Sequence, residues 1–318
     1  MAGLDEAAAV LLGAQRAVIL CHQSPDGDTL GSAAALCRGL RQLGKRAAVR
    51  CSDPVGKRFR YLFEELPDDE FEPDRIVAVD IADEKLFGEP LRARYGGKAD
   101  LCVDHHPSNT GYARVNLVDP KAAATCEIVF ALLKKMGARI DRPVALALYT
   151  GITTDTGCFR YTNVTPATYR IAADLVETGI DAPGVNRALF DTKSRARLEM
   201  ERRVLDSIRY DCGGRAAVIA VTKKMVAETG ASEDDLDGLA SIPREIEGVL
   251  VGVMLREKDG GEWKVSLRAR APANASAICA KFGGGGHRGA AGCSLRMPLE
   301  EAERRLLAAV REALGTGA

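Results

Sequence analysis

Residues 17–44 read Ala17-Val-Ile-Leu-Cys21-His22-Gln-Ser-Pro25-Asp26-Gly27-Asp28-Thr29-Leu-Gly31-Ser32-Ala-Ala-Ala-Leu-Cys37-Arg-Gly39-Leu-Arg41-Gln-Leu43-Gly44. The apolar run 17–21 is too short for a free-standing helix and is predicted as a buried strand. Pro25 and Gly27 exclude a helix through 22–28, so this stretch is a turn at the carboxyl end of that strand. Residues 29–43 are predicted as a helix with small residues at its start, and Gly44 stands just past its end. Further strands are expected at 46–50, 75–80 and 99–104, the last two ending in Asp80 and Asp104. Helices are expected at 123–136 and 142–150. Strands alternating with helices predict an α/β fold with a doubly wound, mostly parallel sheet. In such sheets ligands bind at the carboxyl edge of the strands.

That edge is where three of the chain's four histidines are expected. The sequence has four: His22, His105 and His106 beside clustered aspartates, and His287 at the end of Gly283-Gly284-Gly285-Gly286. Asp26 and Asp28, two apart around Gly27, are able to face neighbouring ions, and Gly27 frees the backbone to do so. Asp155 lies in Gly151-Ile-Thr-Thr-Asp155-Thr-Gly157, expected just past a helix. The candidate metal ligands are therefore His22, Asp26, Asp28, Asp80, one of the tandem histidines, and Asp155. Two imidazoles and four carboxylates exceed one ion and suit two divalent ions sharing a carboxylate, roughly 3.5–4 Å apart. Mixed nitrogen and oxygen donors are compatible with Mn²⁺, Fe²⁺ or Zn²⁺, and pure oxygen sites would favour Mg²⁺. Two divalent ions are expected, Mn²⁺ first, with Mg²⁺ or Co²⁺ as alternatives. An aspartate at a strand end also reads as a helix N-cap, which is the competing reading of Asp80 and of Asp28.

Composition narrows the partners. The 318 residues suggest two domains, and 44 basic against 44 acidic residues give a net charge of +0. Balanced charge argues against capture of long nucleic acid. With 5% aromatics an extended base-stacking surface is not expected. The nine cysteines are scattered without a Cys-x-x-Cys pair, against a disulfide framework or a zinc–thiolate site. No apolar run reaches membrane-spanning length and the start lacks a basic signal segment, so a cytoplasmic protein without membrane partners is expected. Residues 166–210 read as almost wholly helical. Their charged end, 194–210, is expected to be a solvated helix bridging the domains. The expected division is a metal-binding domain 1–190, a helical linker 191–211 and a substrate-binding domain 212–318. In the last, strands are expected at 216–221, 249–255 and 263–268, with a Gly260-Gly261 hairpin and helices at 275–282 and 299–314.

His22-x-x-Pro25-Asp26-Gly27-Asp28-x-x-Gly31-Ser32, the strand ending at Asp80, Asp104-His105-His106 and Asp155-Thr-Gly157 together resemble the motifs of the DHH phosphoesterase family. Gly283-Gly-Gly-Gly-His287 resembles the signature of its accompanying DHHA1 domain. The likeness spans nearly the whole chain and is nearest to the stand-alone nanoRNase branch, the bifunctional oligoribonuclease/pAp phosphatases. It implies that His22 and Asp26 hold one ion, that Asp28, His105 and Asp155 hold the other, and that Asp80 bridges. It further implies that Asp104 orients the tandem histidines and that His106 faces the scissile phosphate. Implied substrates are short RNA oligonucleotides, released as 5′-mononucleotides, and pAp, split to AMP and phosphate. Cyclic di-AMP or pApA phosphodiesterases share these motifs, and a non-catalytic nucleotide-binding regulator is a remoter alternative. A homodimer is also compatible with the family.

The resemblance extends to contacts with substrate. Asn109 after the tandem histidines and Arg160 in Gly-Cys-Phe-Arg160 are candidate substrate contacts, each against an ordinary turn or surface role. Ser266-Leu-Arg268-Ala269 stands where the family often has Ser-x-Arg-Ser, so Ser266 and Arg268 remain while the second serine is absent. The glycine run is expected to form an anion-binding nest, with the N–H groups of Gly284, Gly285 and Gly286 converging on a phosphate and His287 and Arg288 adding donors. No Lys-Ser/Thr follows, so it is not a P-loop.

Overall fold

The computed structural model describes residues 2–236 and 238–315. The chain divides into two compact units, residues 1–192 and 193–318. In chain order the first holds α1 (Leu4–Leu12), β1 (Arg16–Leu20), α2 (Gly27–Gln42), β2 (Arg46–Arg50), β3 (Arg75–Val79), α3 (Glu89–Tyr95), β4 (Leu101–Asp104), β5 (Val115–Val118), α4 (Thr125–Lys135), α5 (Arg142–Asp155), α6 (Pro166–Glu177) and α7 (Ala182–Asn186). The second holds α8 (Arg195–Asp206), β6 (Arg209–Asp211), β7 (Ala216–Val221), α9 (Lys223–Thr229), α10 (Glu233–Leu236), α11 (Ile242–Glu245), β8 (Val251–Glu257), β9 (Glu262–Ala269), α12 (Ala275–Ala280), β10 (Gly285–Gly286), β11 (Ala290–Arg296) and α13 (Leu299–Ala313).

The first sheet has the order β2-β1-β3-β4-β5 and is parallel throughout. Its faces alternate as a twofold period demands. Ala17, Ile19, Val77, Val79, Leu101 and Val103 pack with α1, α2, α4 and α5. Val18, Leu20, Ala78 and Cys102 pack against Phe87, Leu91 and Tyr95. Both faces are covered, which explains why the strands read as continuous apolar runs. The chain winds outward in both directions from β1 and β3, so the topological switch point lies between their carboxyl ends.

One difference from expectation bears on the site. The helix predicted to stop at 150 continues to Asp155. Thr150 and Thr154 turn their hydroxyls back onto the carbonyls of Leu146 and Thr150, which satisfies them within the helix. Asp155 is thus the last residue of α5, not a loop residue. Gly31 of α2 and Gly151 of α5 let these helices touch. A Cβ at Gly31 would lie 2.4 Å from the Ala147 carbonyl oxygen, and one at Gly151 would lie 2.9 Å from Oδ1 of Asp28.

The second unit is a six-stranded sheet, β10-β11-β9-β8-β7-β6, mixed because β7 and β8 are parallel and the other pairs antiparallel. Met200 and Val204 of α8 are buried with Ile219, Val221, Leu236, Leu239 and Met254. The helix expected to bridge as a linker therefore packs on this unit. Its outer face is laced by Arg197–Glu201, Arg202–Glu199 and Arg203–Glu199 pairs. It ends at Asp206, and residues 209–211 are a strand where helix was expected. Ile278, Leu306 and Val310 cover the opposite face. All nine cysteines are free thiols. Among the described residues no helix is long and apolar enough to cross a membrane.

Candidate metal centre

Each element ends where the sequence changes from apolar to acidic, and those ends meet at the switch point. Asp26 is the N-cap of α2, accepting from the backbone N–H of Asp28 (3.0 Å) and Thr29 (3.2 Å). Asp28, read alternatively as that cap, instead lies in the first turn and is 1% exposed. Asp80 follows β3 with φ of 61°, a left-handed conformation that costs an ordinary residue about 1 kcal/mol or more. It caps no helix, since Asp83 caps the next turn. That strain turns its side chain toward the histidines.

The distances define three clusters. His22 Nε2 lies 3.6 Å from Asp26 Oδ1 and 3.7 Å from Asp80 Oδ2. His105 Nε2 lies 3.4 Å from Asp155 Oδ2, 3.6 Å from Asp80 Oδ1 and 4.0 Å from Asp28 Oδ2. His106 Nδ1 lies 3.5 Å from Asp80 Oδ1. His22–Asp26–Asp80, Asp28–His105–Asp155 and Asp80–His105–His106 each gather their ligand atoms within 4.8 Å, a spacing one ion spans. The two oxygens of Asp80 thus face different clusters. Carbonyl oxygens set two of the rings: Gln23 O accepts at 2.8 Å from Nδ1 of His22, and Ala122 O at 3.2 Å from Nδ1 of His105. Each ring therefore presents Nε2 to the carboxylates.

The electrostatics are unbalanced without a cation. Burial, reinforced by Asp80, Asp155 and Asp26, pushes Asp28 well above the usual carboxylate range. Burial also raises Asp80, against the opposing hydrogen bond from His22, with Asp26 adding repulsion. Burial lifts Asp155 to about 7, His105 opposing and Asp80 reinforcing. Burial works against a charge on His22, but Asp26 and Asp80 outweigh it and hold the imidazole up at about 11. Among the described residues, the ion pairs of Asp28, Asp80 and Asp155 are with histidine alone. Buried carboxylates facing one another without lysine or arginine fit a site for divalent cations.

Asp104, completely buried, accepts from Nδ1 of His106 at 2.7 Å. That bond lifts His106 to about 9 against the effect of burial. Its other oxygen accepts from Asn109 at 2.6 Å. Asp104 therefore orients one of the tandem histidines, while the carbonyl of Ala122 orients the other. Asn109 Oδ1 accepts from the N–H of Gly111, so both ends of this amide are engaged inside the protein. Arg160 donates from Nε to the Gly157 carbonyl at 2.6 Å and its guanidinium lies 5.9 Å from the Phe190 ring centroid.

Two residues the sequence reading passed over stand behind the carboxylates. Thr125 donates its hydroxyl to Asp80 Oδ1 (2.8 Å) and its backbone N–H to Asp28 Oδ2 (2.7 Å). Asn163 donates to the carbonyls of Ala123 (2.9 Å) and Asp155 (3.1 Å). The available signal was α4 itself, which starts after Ala124, a residue with no capping side chain.

In the second unit, Gly285 and Gly286 form β10, paired with Gly292 and Ala291 of β11, and residues 287–289 make the turn. The N–H groups of Gly283, Gly284 and His287 are spent on the carbonyls of Ala280, Cys279 and Ala290, so of the three N–H groups expected to converge on a phosphate that of Gly284 is otherwise engaged. Gly284 serves close approach instead. A Cβ at Gly284 would sit 2.2 Å from the Gly292 carbonyl oxygen, whereas one at Gly285 meets nothing within 4 Å. Ser266 of β9 is in register with Gly292, and Arg268 with Ala290. Ser266 and Arg268 thus share one sheet face with Gly292 and, through its pairing, Gly285. Arg288 contributes its carbonyl to the N–H of Ala275.

Comparison with known proteins agrees with this layout. Residues 16–152 match the DHH family, N-terminal domain, and residues 213–316 match the DHHA1 domain. The chain is 36% identical over 302 residues to the bifunctional oligoribonuclease and PAP phosphatase NrnA of Thermus thermophilus, covering 93% of this chain and 89% of the relative. It is 26% identical over 292 residues to the protein of that name from Bacillus subtilis, covering 90% of each. The crystal structure of an exopolyphosphatase-related protein from Bacteroides fragilis superposes with a TM-score of 0.87 at 26% identity, covering 97% of this chain and 95% of that one. Manganese-bound exonuclease RecJ shares the fold at a TM-score of 0.54 and 18% identity, over 98% and 95% of the two chains. The chain belongs to the DHH family, with a DHHA1 domain as its second unit.

Proposed function

We propose that this protein is a metal-dependent phosphoesterase that hydrolyses short oligoribonucleotides to 5′-mononucleotides and pAp to AMP and phosphate. The observation that carries the reading is Asp80, whose two oxygens face the His22–Asp26 cluster on one side and His105 on the other. A relative 36% identical over nearly its whole length bears that activity in its name. By this reading His22, Asp26 and Asp80 hold one divalent ion, and Asp28, His105, Asp155 and Asp80 the other. Mn²⁺ is the preferred ion, with Mg²⁺ or Co²⁺ as substitutes. Bound ions of this kind lower the pKa of water and offset charge on phosphoryl oxygens.

The chain's own groups do the rest. Asp104 engages Nδ1 of His106 and raises the imidazole's pKa, which assigns the ring to donate a hydrogen bond from its other nitrogen to a phosphoryl oxygen as charge develops there. Asn109 acts through Asp104. Ser266, Arg268 and the exposed edge at Gly285 and Gly286, followed by His287 and Arg288, form the polar, open surface of the second unit and are assigned to substrate binding. Arg160 is assigned to substrate phosphate.

The test is a substrate panel with Mn²⁺: pAp, oligoribonucleotides graded by length, pApA and cyclic di-AMP. Hydrolysis of pAp and of the shortest oligomers, lost on chelation, is the expected result. If both resist cleavage in the presence of metal, the reading fails; if pApA or cyclic di-AMP is strongly preferred, the substrate class changes.

A further inference from the structure

Residues 122–126 form a turn from which four of the candidate ligands are held. The carbonyl of Ala122 accepts from Nδ1 of His105 at 3.2 Å. Ala123 offers its carbonyl to Asn163, which also donates to the carbonyl of Asp155. The backbone N–H groups of Thr125 and Cys126 grip the two oxygens of Asp28 at 2.7 and 3.0 Å. The Thr125 hydroxyl reaches Asp80 Oδ1 at 2.8 Å.

The local chemistry explains why the turn does this. A helix leaves its first N–H groups without intrahelical acceptors. The N-cap of α4, Ala124, has no side-chain acceptor to offer them. Asp28, from the first turn of α2, takes that place from across the fold. Its carboxylate meets the positive end of α4, which offsets part of its repulsion with Asp80 and Asp155. Thr125 is itself fully buried, so its hydroxyl is directed by the packing around it. The N–H groups of Thr125 and Cys126 fix Asp28 and the Thr125 hydroxyl fixes Asp80, so Thr125 takes part in holding both carboxylates.

We infer that Thr125 is a positioning residue of the metal centre: its hydroxyl sets the rotamer of Asp80, so that the carboxylate spans both ligand clusters, while its backbone sets Asp28. The inference rests on the two-ion reading given above. It adds a requirement that the ligands alone do not supply, because Asp80 without this donor is free to rotate away from the orientation in which its two oxygens face different clusters.

The experiment compares wild type with Thr125→Val, which keeps the shape and removes the donor, and with Thr125→Ser, which restores it. Mn²⁺ binding is followed by titration calorimetry, and pAp hydrolysis as kcat and KM separately. Thermal unfolding of the metal-free chains reports structure. Thr125→Val should weaken Mn²⁺ binding roughly 10- to 100-fold. It should lower kcat more than it raises KM, and unfold near the wild-type temperature; Thr125→Ser should recover most of the loss. Thr125→Ala makes the same comparison should the valine chain fail to fold. If wild type binds two Mn²⁺ and Thr125→Val binds them equally well, the inference is overturned while the reading of the site stands. If serine is as poor as valine, the methyl group and not the hydroxyl matters, and the inference is again overturned. A wild type that binds no Mn²⁺ overturns both.

Discussion

The carboxylate of Asp104 accepts from Nδ1 of His106 at 2.7 Å and holds the imidazole up at about 9. Asp104 is completely buried and lies outside the three ligand clusters, so its work is done through the ring it orients. Its second oxygen takes the amide of Asn109. The pair is therefore a preorganised donor whose proton is set from behind.

Asp104→Asn tests that relationship. An amide has a single acceptor oxygen, so one of the two donors, His106 or Asn109, loses its partner. His106 should fall back toward the ordinary imidazole value, and kcat should drop by about 10²-fold or more. Mn²⁺ stoichiometry should hold. Proton NMR of the metal-free protein and steady-state rates measure the two; an unshifted His106 with a normal kcat would sink the assignment.

Asp80→Asn should abolish turnover and cost at least one bound ion, because the remaining oxygen cannot serve both clusters. The same change should stabilise the metal-free chain at neutral pH. Asp80 is raised by burial, so its ionised form is a net cost above the usual carboxylate pKa, and a neutral amide removes it. Each kcal/mol gained is worth about 2–4 °C in a unit of this size. Calorimetric scanning without metal, beside the activity assay, checks both halves. Residual activity near wild type would rule out the shared carboxylate.

The edge of the first sheet was legible because a buried parallel strand writes itself as an apolar run and its ligands stand at the point where the run stops. His22, Asp80, Asp104 and the tandem histidines all stand at such points, and the choice of His105 as the ligand came from the family resemblance. β5 escaped since Val115–Val118 is a half-buried edge strand with Asn116 inside it, a pattern with neither clean period. Thr125 escaped for a different reason. Its importance lies in acceptors 97 and 45 residues away, and tertiary partners leave no local trace. At Gly284 the demand is close approach, which calls for the same residue as an anion-binding turn does. The missing Cβ at Gly284 makes room for the backbone of β11. That need is invisible until the strands are paired.

Metal binding should release protons. In the metal-free centre His22 is held up at about 11 and Asp155 at about 7, so at pH 7 His22 carries a proton and Asp155 is partly protonated. Both must be lost for the groups to ligate. Mn²⁺ affinity should therefore fall as pH falls, by about tenfold per pH unit for each proton released. Without metal both groups move stability in the same direction with pH. A raised His contributes stability below its unfolded value near 6.5 that is lost as pH rises, and raised carboxylates cost most when ionised. The metal-free chain should unfold at a lower temperature at pH 8 than at pH 5.5, and Mn²⁺ should flatten that trend. Calorimetry in buffers of different ionisation enthalpy counts the protons; a count of zero at pH 7 would contradict the site described.

Gly284 and Gly285 are neighbours with opposite constraints, and that separates folding from substrate binding in the second unit. Gly284→Ala places a Cβ 2.2 Å from a backbone carbonyl oxygen and 2.4 Å from Cys293 Cβ, so β10 must move away from β11. Overpacking of this kind costs about 1–3 kcal/mol, and the unfolding temperature should fall with it. Gly285→Ala meets nothing within 4 Å and needs no left-handed backbone, so stability should stay at the wild-type value. If the exposed edge of β10 is where substrate approaches the backbone, a methyl group there obstructs it. KM for pAp and for dinucleotides should rise in Gly285→Ala while kcat and Mn²⁺ binding change little. An alanine chain at 285 with unaltered stability and unaltered KM would remove the glycine edge from the substrate surface, leaving Arg268 and His287 to be tested without it.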